Sequence, residues 1–246
     1  MTLALFLLDV VPDGDEFVLD GAEGRHATTV KRLEIGERVL VGDGRGQVLT
    51  CAVRTVRPGV AVLAVLARTR VAAPRPRLVV VQALPKGERA ELAVELMTEL
   101  GVDEIVPWAA ERSVVRWSDE RGERALTRWR RTAREATKQS RRPWRPDVSA
   151  LADTAAVAAR LRTGTAVGLV LSEQADQALT DHSQDLAAAD EVIVVVGPEG
   201  GLSPEELALF AAAGAGVVRL GQPVLRTSTA GAAAAAAVSV LTGRWT

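Results

Sequence analysis

The stretch VIVVVGPEGGLSPEE, residues 192–206, carries the clearest structural signal in this chain. Its first five residues are apolar and β-branched, and the run is too short for a helix, which predicts a buried strand. Ser203 is a favourable N-cap, Pro204 suits the first helical position, and Glu206 completes a capping box. A helix is therefore expected to begin directly after the glycine-rich loop.

A second unit of the same kind follows. Gly216–Leu220 is predicted as a strand, and the loop Gly221–Ala230 leads from it into a final alanine-rich helix. Another strand should end at Leu171-Ser172-Glu173. Ligands of open α/β sheets bind beside the carboxyl ends of strands, so these loops are candidate ligand loops. Neither glycine-bearing loop has the Gly-Lys-Ser/Thr or Gly-x-Gly-x-x-Gly pattern of a phosphate or dinucleotide site.

The rest of the chain divides into two regions of different pattern. Residues 1–71 predict short strands with glycine turns and one short helix at Glu23–Arg32, typical of a small barrel or sandwich. Ala72–Pro76 resembles a linker. From Arg77 a strand, a helix at Glu88–Leu100 and a second strand form a βαβ unit, which implies a parallel sheet.

Charge is concentrated in one segment. The whole chain carries a net charge of −1, so it has no overall attraction to nucleic acid. Between Glu111 and Pro146, however, twelve basic and five acidic residues leave a charge of +7, with three interleaved tryptophans. Arginine contacts phosphate and indole stacks on bases, so the arginines as a group favour RNA contact. Each tryptophan taken singly is better explained as a core residue.

Several classes of protein are disfavoured. The single cysteine, Cys51, excludes a disulfide framework, fits a reducing cytosol and is expected in the core. No apolar run reaches membrane-spanning length, and no cluster has metal-ligand spacing, so neither a membrane nor a metal is expected. His26 and His182 are far apart in sequence. We expect His26, beside Arg25, Lys31 and Arg32, to join an RNA-facing patch.

The motifs of the two ligand loops resemble those of a known family. GPEGGLS at residues 197–203 and LGQPVLRTSTA at 220–230 are similar to the RsmE family of 16S rRNA uracil-N3 methyltransferases, which belong to the SPOUT class. Further matches are His26-x-x-x-Val30-x-Arg32, the run KGER at 86–89 and the run ERS at 111–113. The resemblance covers nearly the whole chain.

The resemblance implies a fold, a cofactor and partners. The fold would be α/β, with a PUA-like β-barrel RNA-binding domain at 1–72 and a SPOUT methyltransferase domain at 73–246 that ends in a trefoil knot. The donor would be S-adenosylmethionine. The partners would be 16S rRNA or the assembled 30S subunit, and a second copy in a cytoplasmic homodimer. Arg226 would be catalytic, favouring the anion of the uridine imide.

The same carry-over implies two further groups of residues. The donor would be bound by Leu171, Ser172, Glu173, Gly197, Pro198, Glu199, Gly200, Gly201, Leu220, Gly221, Val224, Leu225, Arg226, Thr227, Ser228 and Thr229. RNA would be bound by Arg25, His26, Lys31, Arg32, Lys86, Arg112, Arg134, Lys138, Arg141 and Arg142.

Two positions depart from the family pattern. Ser228 stands where the family usually has glutamate, and Ala4 where it often has arginine. Two alternatives therefore stay open: a non-catalytic RNA-binding protein with a degenerate donor site, and a SPOUT methyltransferase acting on another RNA. A nucleotide-dependent oxidoreductase is disfavoured because its glycine fingerprint is missing.

Overall fold

The computed structural model describes residues 3–87, 89–162 and 164–245, and it divides into two compact units. The first comprises Met1–Ala73 with Thr137–Arg145, and the second comprises Pro74–Ala136 with Pro146–Thr246. The sequence-based division at 72/73 left residues 137–145 in the second domain, whereas the structure assigns them to the first unit.

Hydrogen bonds within the first unit explain this placement. The Gly46 amide donates to the Pro143 carbonyl at 3.0 Å, and the Trp144 indole donates to the Val71 carbonyl at 3.0 Å. A Cβ at Gly46 would lie 2.7 Å from the Trp144 ring, so this contact requires glycine. Trp144 therefore fixes the segment 137–145 through contacts distant in sequence.

The first unit is built on a five-stranded mixed sheet. Its strands are β1 (Ala4–Leu7), β2 (Glu16–Leu19), β3 (Arg38–Gly42), β4 (Gln47–Arg57) and β5 (Val60–Arg70). They lie in the order β1-β3-β4-β5-β2, with β1 parallel to β3 and the other pairs antiparallel. Among the described residues no pairing of β1 with β2 is recorded, so closure into a barrel stays a prediction.

One face of this sheet carries the core of the first unit. Phe6, Val39 and Leu63 are fully buried there, as is Cys51, whose core position is confirmed. Burial raises the pKa of the Cys51 thiol to about 11, so this side chain is a protonated, apolar core group. The predicted helix at 23–32 is two elements, α1 (Gly21–Arg25) followed by a π-helical turn, His26–Val30.

The second unit contains a seven-stranded sheet with helices on both faces. Its strands are β6 (Arg77–Ala83), β7 (Glu104–Trp108), β8 (Asp147–Val148), β9 (Ala166–Leu171), β10 (Gln177–Ala178), β11 (Glu191–Val196) and β12 (Gly216–Arg219). Their order is β10-β12-β9-β11-β6-β7-β8, and every recorded pairing is parallel. The predicted parallel α/β sheet is confirmed.

The helices are α2 (Arg89–Glu99), α3 (Asp119–Ser140), α4 (Thr154–Leu161), α5 (Ser183–Ala188), α6 (Pro204–Ala212) and α7 (Thr227–Leu241), and a 3-10 turn at Leu179–His182 precedes α5. The predicted start of α2 at Glu88 lies outside the described residues. Strand side chains are buried on both faces, with Val80 and Val194 toward one cluster and Val79 and Ile193 toward the other. Burial on both faces explains the uninterrupted apolar runs in the sequence.

The C-terminal segment crosses the sheet before it becomes helical. The chain leaves β12 at Arg219, and the carbonyl of Thr227, the first residue of α7, accepts a hydrogen bond from Gln82 near the end of β6. Because β9 and β11 lie between β12 and β6, residues 220–226 pass over the carboxyl ends of both strands, a span of about 14 Å. Helix α7 then packs against α2, β6 and β11.

An ion network around the buried Glu104 fixes the opposite end of the sheet, where the strands begin. The Glu104 carboxylate accepts hydrogen bonds from both terminal nitrogens of Arg160, at 2.7 and 2.6 Å, and from Arg77 at 2.7 Å. Ser149 donates to the same carboxylate, and Arg77 also bonds Glu191 at 2.8 Å. The amino ends of β6, β7 and β11 and helix α4 are thereby joined through two acids, Glu104 and Glu191.

Candidate active site

The three predicted ligand loops lie together at the carboxyl ends of the strands of the seven-stranded sheet. They follow β9, β11 and β12, which are neighbours in that sheet together with β6. Since neighbouring parallel strands end at the same edge, the segments Leu171–Glu173, Gly197–Gly201 and Leu220–Thr229 lie along one rim. The structure therefore groups the residues that the sequence motifs assigned to a single donor site.

The loop after β11 is a tight turn held against the loop after β7. The Gly201 amide donates to the Pro198 carbonyl at 2.9 Å, and Gly201 has a φ of +71°, which favours glycine. A Cβ at Gly200 would lie 3.2 Å from both Cβ and the carbonyl oxygen of Arg112. Glycine at 200 thus allows close approach to Arg112, while its own backbone stays exposed at the rim.

Glu206 connects this loop with its neighbours. Its carboxylate accepts from the Ser203 amide at 3.1 Å, from the Glu111 amide at 2.8 Å and from the Thr154 hydroxyl at 3.3 Å. The capping box predicted for Ser203 and Glu206 is confirmed, and α6 begins at Pro204. Sequence reasoning identified the cap but missed the contacts to Glu111 and Thr154, which are distant along the chain.

Replacing Glu206 by alanine should lower the free energy of unfolding by about 2–3 kcal/mol, because buried donors then lose their acceptor. The Gly197–Gly201 loop should loosen at the same time and weaken binding of the S-adenosylmethionine expected there. Chemical denaturation and calorimetry measure the two effects. The matched control is Glu205→Ala, an exposed position in the same helical turn, which should change stability by less than about 0.5 kcal/mol. Equal effects of the two substitutions would contradict the role of Glu206.

The loop after β12 exposes apolar side chains and one cation. Val224 and Leu225 are 73% and 37% exposed. Arg226 is exposed and is the N-cap residue of α7, and its carbonyl accepts the Thr229 and Ala230 amides at 2.9 Å. An apolar wall beside a helix N-terminus and a guanidinium suits a ligand with both apolar and polar parts.

Within the first turn of α7 the side chains differ in exposure. Thr227 and Ser228 are buried, and Thr229 is half-buried, with its hydroxyl donating to the Arg226 carbonyl at 3.1 Å. Ser228, where the sequence departs from the motif it resembles, thus occupies a buried position. The third segment, after β9, is fixed by the Ser172 amide, which donates to the Val218 carbonyl at 3.0 Å, and leaves Glu173 exposed.

The basic residues assigned to RNA lie in different surroundings. In the second unit Lys86 and Arg112 are exposed near the rim, where Glu199 accepts from the Lys86 amide at 3.3 Å, and Arg134 on α3 is half-buried. In the first unit Arg25, Lys31, Arg32 and Arg141 are exposed. His26 and Arg142 are half-buried there, and the His26 ring packs edge-on against Phe6 at 5.9 Å.

Lys138 differs from that set. Its side chain is only 8% exposed, and its ammonium lies 3.2 Å from the Glu23 carboxylate, so burial and ion pairing occupy the group that was expected to meet RNA. The tryptophans of the basic segment are also structural: Trp129 is buried and packs against Trp117 with ring centres 5.2 Å apart. The packing of Trp117 and Trp129 agrees with the prediction that each tryptophan is a core residue.

The site can position and polarise a ligand but offers little for covalent catalysis. None of the three loops contains a histidine, cysteine or lysine. Throughout the described residues, no group of three or more His, Cys, Asp and Glu side chains is arranged to hold a metal ion. The helices of the described chain include none that is both long and apolar enough to cross a membrane. The available chemistry is backbone hydrogen bonding, apolar contact, the exposed carboxylates of Glu173 and Glu199, and the charge of Arg226.

Comparison with known proteins agrees with this geometry. The family model for an RNA methyltransferase domain matches residues 73–239, and the model for an RNA methyltransferase PUA domain matches residues 19–57. A Mycobacterium tuberculosis protein named ribosomal RNA small subunit methyltransferase E is 46% identical, over all of this chain and 94% of its own length. A Bacillus subtilis protein of the same name is 27% identical over 94% of this chain and 93% of its own.

A solved structure shows the same overall likeness. Ribosomal RNA small subunit methyltransferase E from Neisseria gonorrhoeae, crystallised with S-adenosylmethionine, superposes with a TM-score of 0.86 at 26% identity and 98% coverage of each chain. The match of the domain model to more than half of the chain and the full-length likeness at 46% identity together settle the relationship. The chain belongs to the ribosomal RNA small subunit methyltransferase E family of RNA methyltransferases.

Proposed function

We propose that this protein transfers a methyl group from S-adenosylmethionine to N3 of a specific uridine in 16S rRNA of the small ribosomal subunit. The observation that carries the proposal is the rim formed by the three loops after β9, β11 and β12, in a chain of this family. Relatives named for small-subunit rRNA methylation and a neighbour crystallised with S-adenosylmethionine support the choice of substrate and donor.

The residues at the rim fit such a donor. Gly197, Gly200 and Gly201 leave backbone groups accessible, and Val224 and Leu225 offer an exposed apolar surface for a nucleoside. We therefore assign donor binding to the sixteen residues of the three segments, with Arg226 contributing through its backbone rather than its guanidinium. When bound, S-adenosylmethionine supplies a methyl group on a sulfonium.

Arg226 is the residue proposed to act on the substrate. N3 of uridine is a weakly acidic imide, and its proton must pass to solvent before or during methyl transfer, as the methyl–sulfonium bond of the donor breaks. The exposed guanidinium of Arg226 stabilises the negative charge that develops on the base, and the ordered loops align N3 for attack. N3 lies on the Watson–Crick edge, so the uridine must be unpaired and turned out of its stack.

The RNA is held by basic residues of both units. We assign contacts to Lys86, Arg112 and Arg134 in the second unit. In the first unit we assign contacts to Arg25, His26, Lys31, Arg32, Arg141 and Arg142. Lys138 is left out because of its buried pair with Glu23. Phosphate contacts of this kind make affinity fall steeply with salt, and shape recognition of folded RNA favours the assembled 30S subunit as substrate.

Two finer features of the fold belong to the same proposal. The first unit closes as a PUA-like barrel, and the crossing of residues 220–226 threads α7 into a trefoil knot. The passage of this segment over the ends of β9 and β11 supports the knot. The protein acts in the cytoplasm, where small subunits are assembled.

The protein is also proposed to act as a homodimer, joined through α2 and α7. These two helices pack on each other and still expose apolar side chains, with Val240 66% and Leu92 42% accessible. A second copy would cover both positions.

Replacing Val240 by glutamate should convert the dimer to a monomer, because a charge would then be buried at the interface. Analytical ultracentrifugation measures the mass. The control is Val18→Glu, an exposed apolar position in the first unit, which should leave the dimer intact. A wild-type monomer, or a Val240→Glu dimer of unchanged affinity, would contradict the assignment.

A degenerate, non-catalytic binder is the competing function, and Ser228 in place of the family glutamate is the observation that favours it. Calorimetry with S-adenosylmethionine separates the two, because a pure RNA binder should show no donor binding. Methylation of unmodified 30S subunits tests the proposed activity itself.

A further inference from the structure

Gln82 is a polar residue in an apolar strand. It lies near the carboxyl end of β6, follows Val79, Val80 and Val81, and is fully buried. Its side-chain nitrogen donates to the Ala83 carbonyl at 3.0 Å and to the Thr227 carbonyl at 3.3 Å. An apolar side chain would need no partners here, so the buried amide calls for an explanation beyond packing.

The oxygen of the Gln82 side-chain amide, Oε1, is buried without a hydrogen bond among the described residues. Helix α7 nevertheless approaches it closely, because a Cβ at Gly231 would lie 3.2 Å from this oxygen and 3.0 Å from Met97 Sδ. The side chain therefore keeps a costly unsatisfied acceptor together with a bond to the start of α7.

That bond is placed where the crossing segment ends. Thr227 directly follows Arg226, and the Arg226 carbonyl begins the hydrogen bonding of α7. Fixing the Thr227 carbonyl to β6 thus fixes one end of the loop 220–226, whose other end is fixed by β12. No other side chain among the described residues is recorded in a hydrogen bond to the Thr227 backbone.

We propose that Gln82 is a positioning residue for methyl transfer, whose bond to the Thr227 carbonyl holds Arg226 and the loop 220–226 in their working geometry. The inference rests on the proposed function, since the geometry matters for the reaction assigned to this rim. It makes Gln82 a residue that the protein retains for alignment at some cost in stability.

Two substitutions test the hydrogen bond from the Gln82 side chain to the Thr227 carbonyl, which we call the tether. Gln82→Met has similar volume and no polar atom, so it removes the unsatisfied oxygen and the tether together. Gln82→Asn keeps an amide that is one methylene too short to reach Thr227. Both should lower kcat by about ten- to hundredfold with KM for RNA unchanged, because misalignment slows transfer without removing RNA contacts. The melting temperature of Gln82→Met should not fall.

Ser239→Ala is the matched control. Ser239 lies in α7, the helix that begins at Thr227, and is fully buried. Like Gln82 Oε1, its hydroxyl has no hydrogen-bond partner among the described residues. Removing that hydroxyl deletes a buried unsatisfied atom as Gln82→Met does, but leaves the Thr227 tether in place. Its kcat should equal that of the wild type.

Amide hydrogen exchange measures the effect of the tether on the first turn of α7 independently of catalytic activity. The amides of Thr229 and Ala230 should exchange faster in Gln82→Met than in the wild type and in Ser239→Ala. An inactive wild type with this exchange pattern would refute the proposed function while supporting the tether. Unchanged kcat and exchange in both Gln82 variants would overturn the inference, as would losses of kcat that match a fall in stability. If Gln82→Met does not fold, Gln82→Asn decides.

Discussion

Replacement of Arg226 by alanine should lower kcat by about 10²- to 10³-fold, the loss expected when one charge-stabilising donor is removed from a reacting site. Arg226 has φ −69° and ψ 148°, which alanine adopts without strain, and its carbonyl still caps the first turn of α7. Its side chain makes no recorded hydrogen bond within the described residues. Donor affinity and folding should therefore change little.

Single-turnover methylation and calorimetric donor binding measure the two quantities separately. Arg226→Lys is the matched variant, since it keeps the positive charge but loses the planar fork of donors, and it should retain part of the rate. Unchanged turnover in Arg226→Ala would remove this residue from the mechanism. A parallel loss of donor affinity would instead assign it to donor binding.

Replacement of Glu104 by alanine should lower the free energy of unfolding by about 3 kcal/mol, because two arginines then lose a shared buried partner. Glu104 is almost fully buried and joins Arg77, Arg160 and Ser149. Urea denaturation at neutral pH measures the change. The control Glu120→Ala removes only an exposed pair with Arg124 and should cost less than about 0.5 kcal/mol. Similar losses in both variants would contradict the network.

The same acid predicts a pH dependence. Burial by itself raises the pKa of Glu104, but hydrogen bonds from Arg160 and Ser149 and the charges of Arg160 and Arg77 outweigh it, so the pKa lies below its ordinary value. The stabilisation is therefore complete above the unfolded-state pKa, about 4.3, and is lost as pH falls through the lower folded-state value. The stability difference between wild type and Glu104→Gln should shrink across that acidic range and stay constant between pH 6 and 8.

Sequence reasoning was most successful where local signals agree. The β-branched run before Gly197 predicted a buried strand, and Ser203, Pro204 and Glu206 together indicated the start of α6, as found. The motifs of the two loops identified the family, which the comparisons confirm. Because parallel strands end at one edge, the meeting of the three loops also followed from the sequence.

What the sequence did not show depends on contacts between distant residues. No residue close to Lys138 in sequence indicates that its side chain would be buried in an ion pair with Glu23, more than a hundred positions away. The hydrogen bond from the Trp144 indole to the Val71 carbonyl likewise connects residues 137–145 with the first unit, and no local sequence signal predicts it. Gln82 gave a local signal, a lone amide among valines, but its partner Thr227 is visible only in the fold. The individual roles of the site residues stay predictions.

The most direct test of the account is methylation of 30S subunits that carry unmodified rRNA. Purified protein and labelled S-adenosylmethionine are incubated with the subunits, and the nucleosides are separated and identified by mass spectrometry. Subunits that already carry the modification, and the Arg226→Ala variant, serve as controls and should show little label. We expect label in 3-methyluridine at one position. Label in another nucleoside, or none from a protein that binds the donor and the subunit, would contradict it.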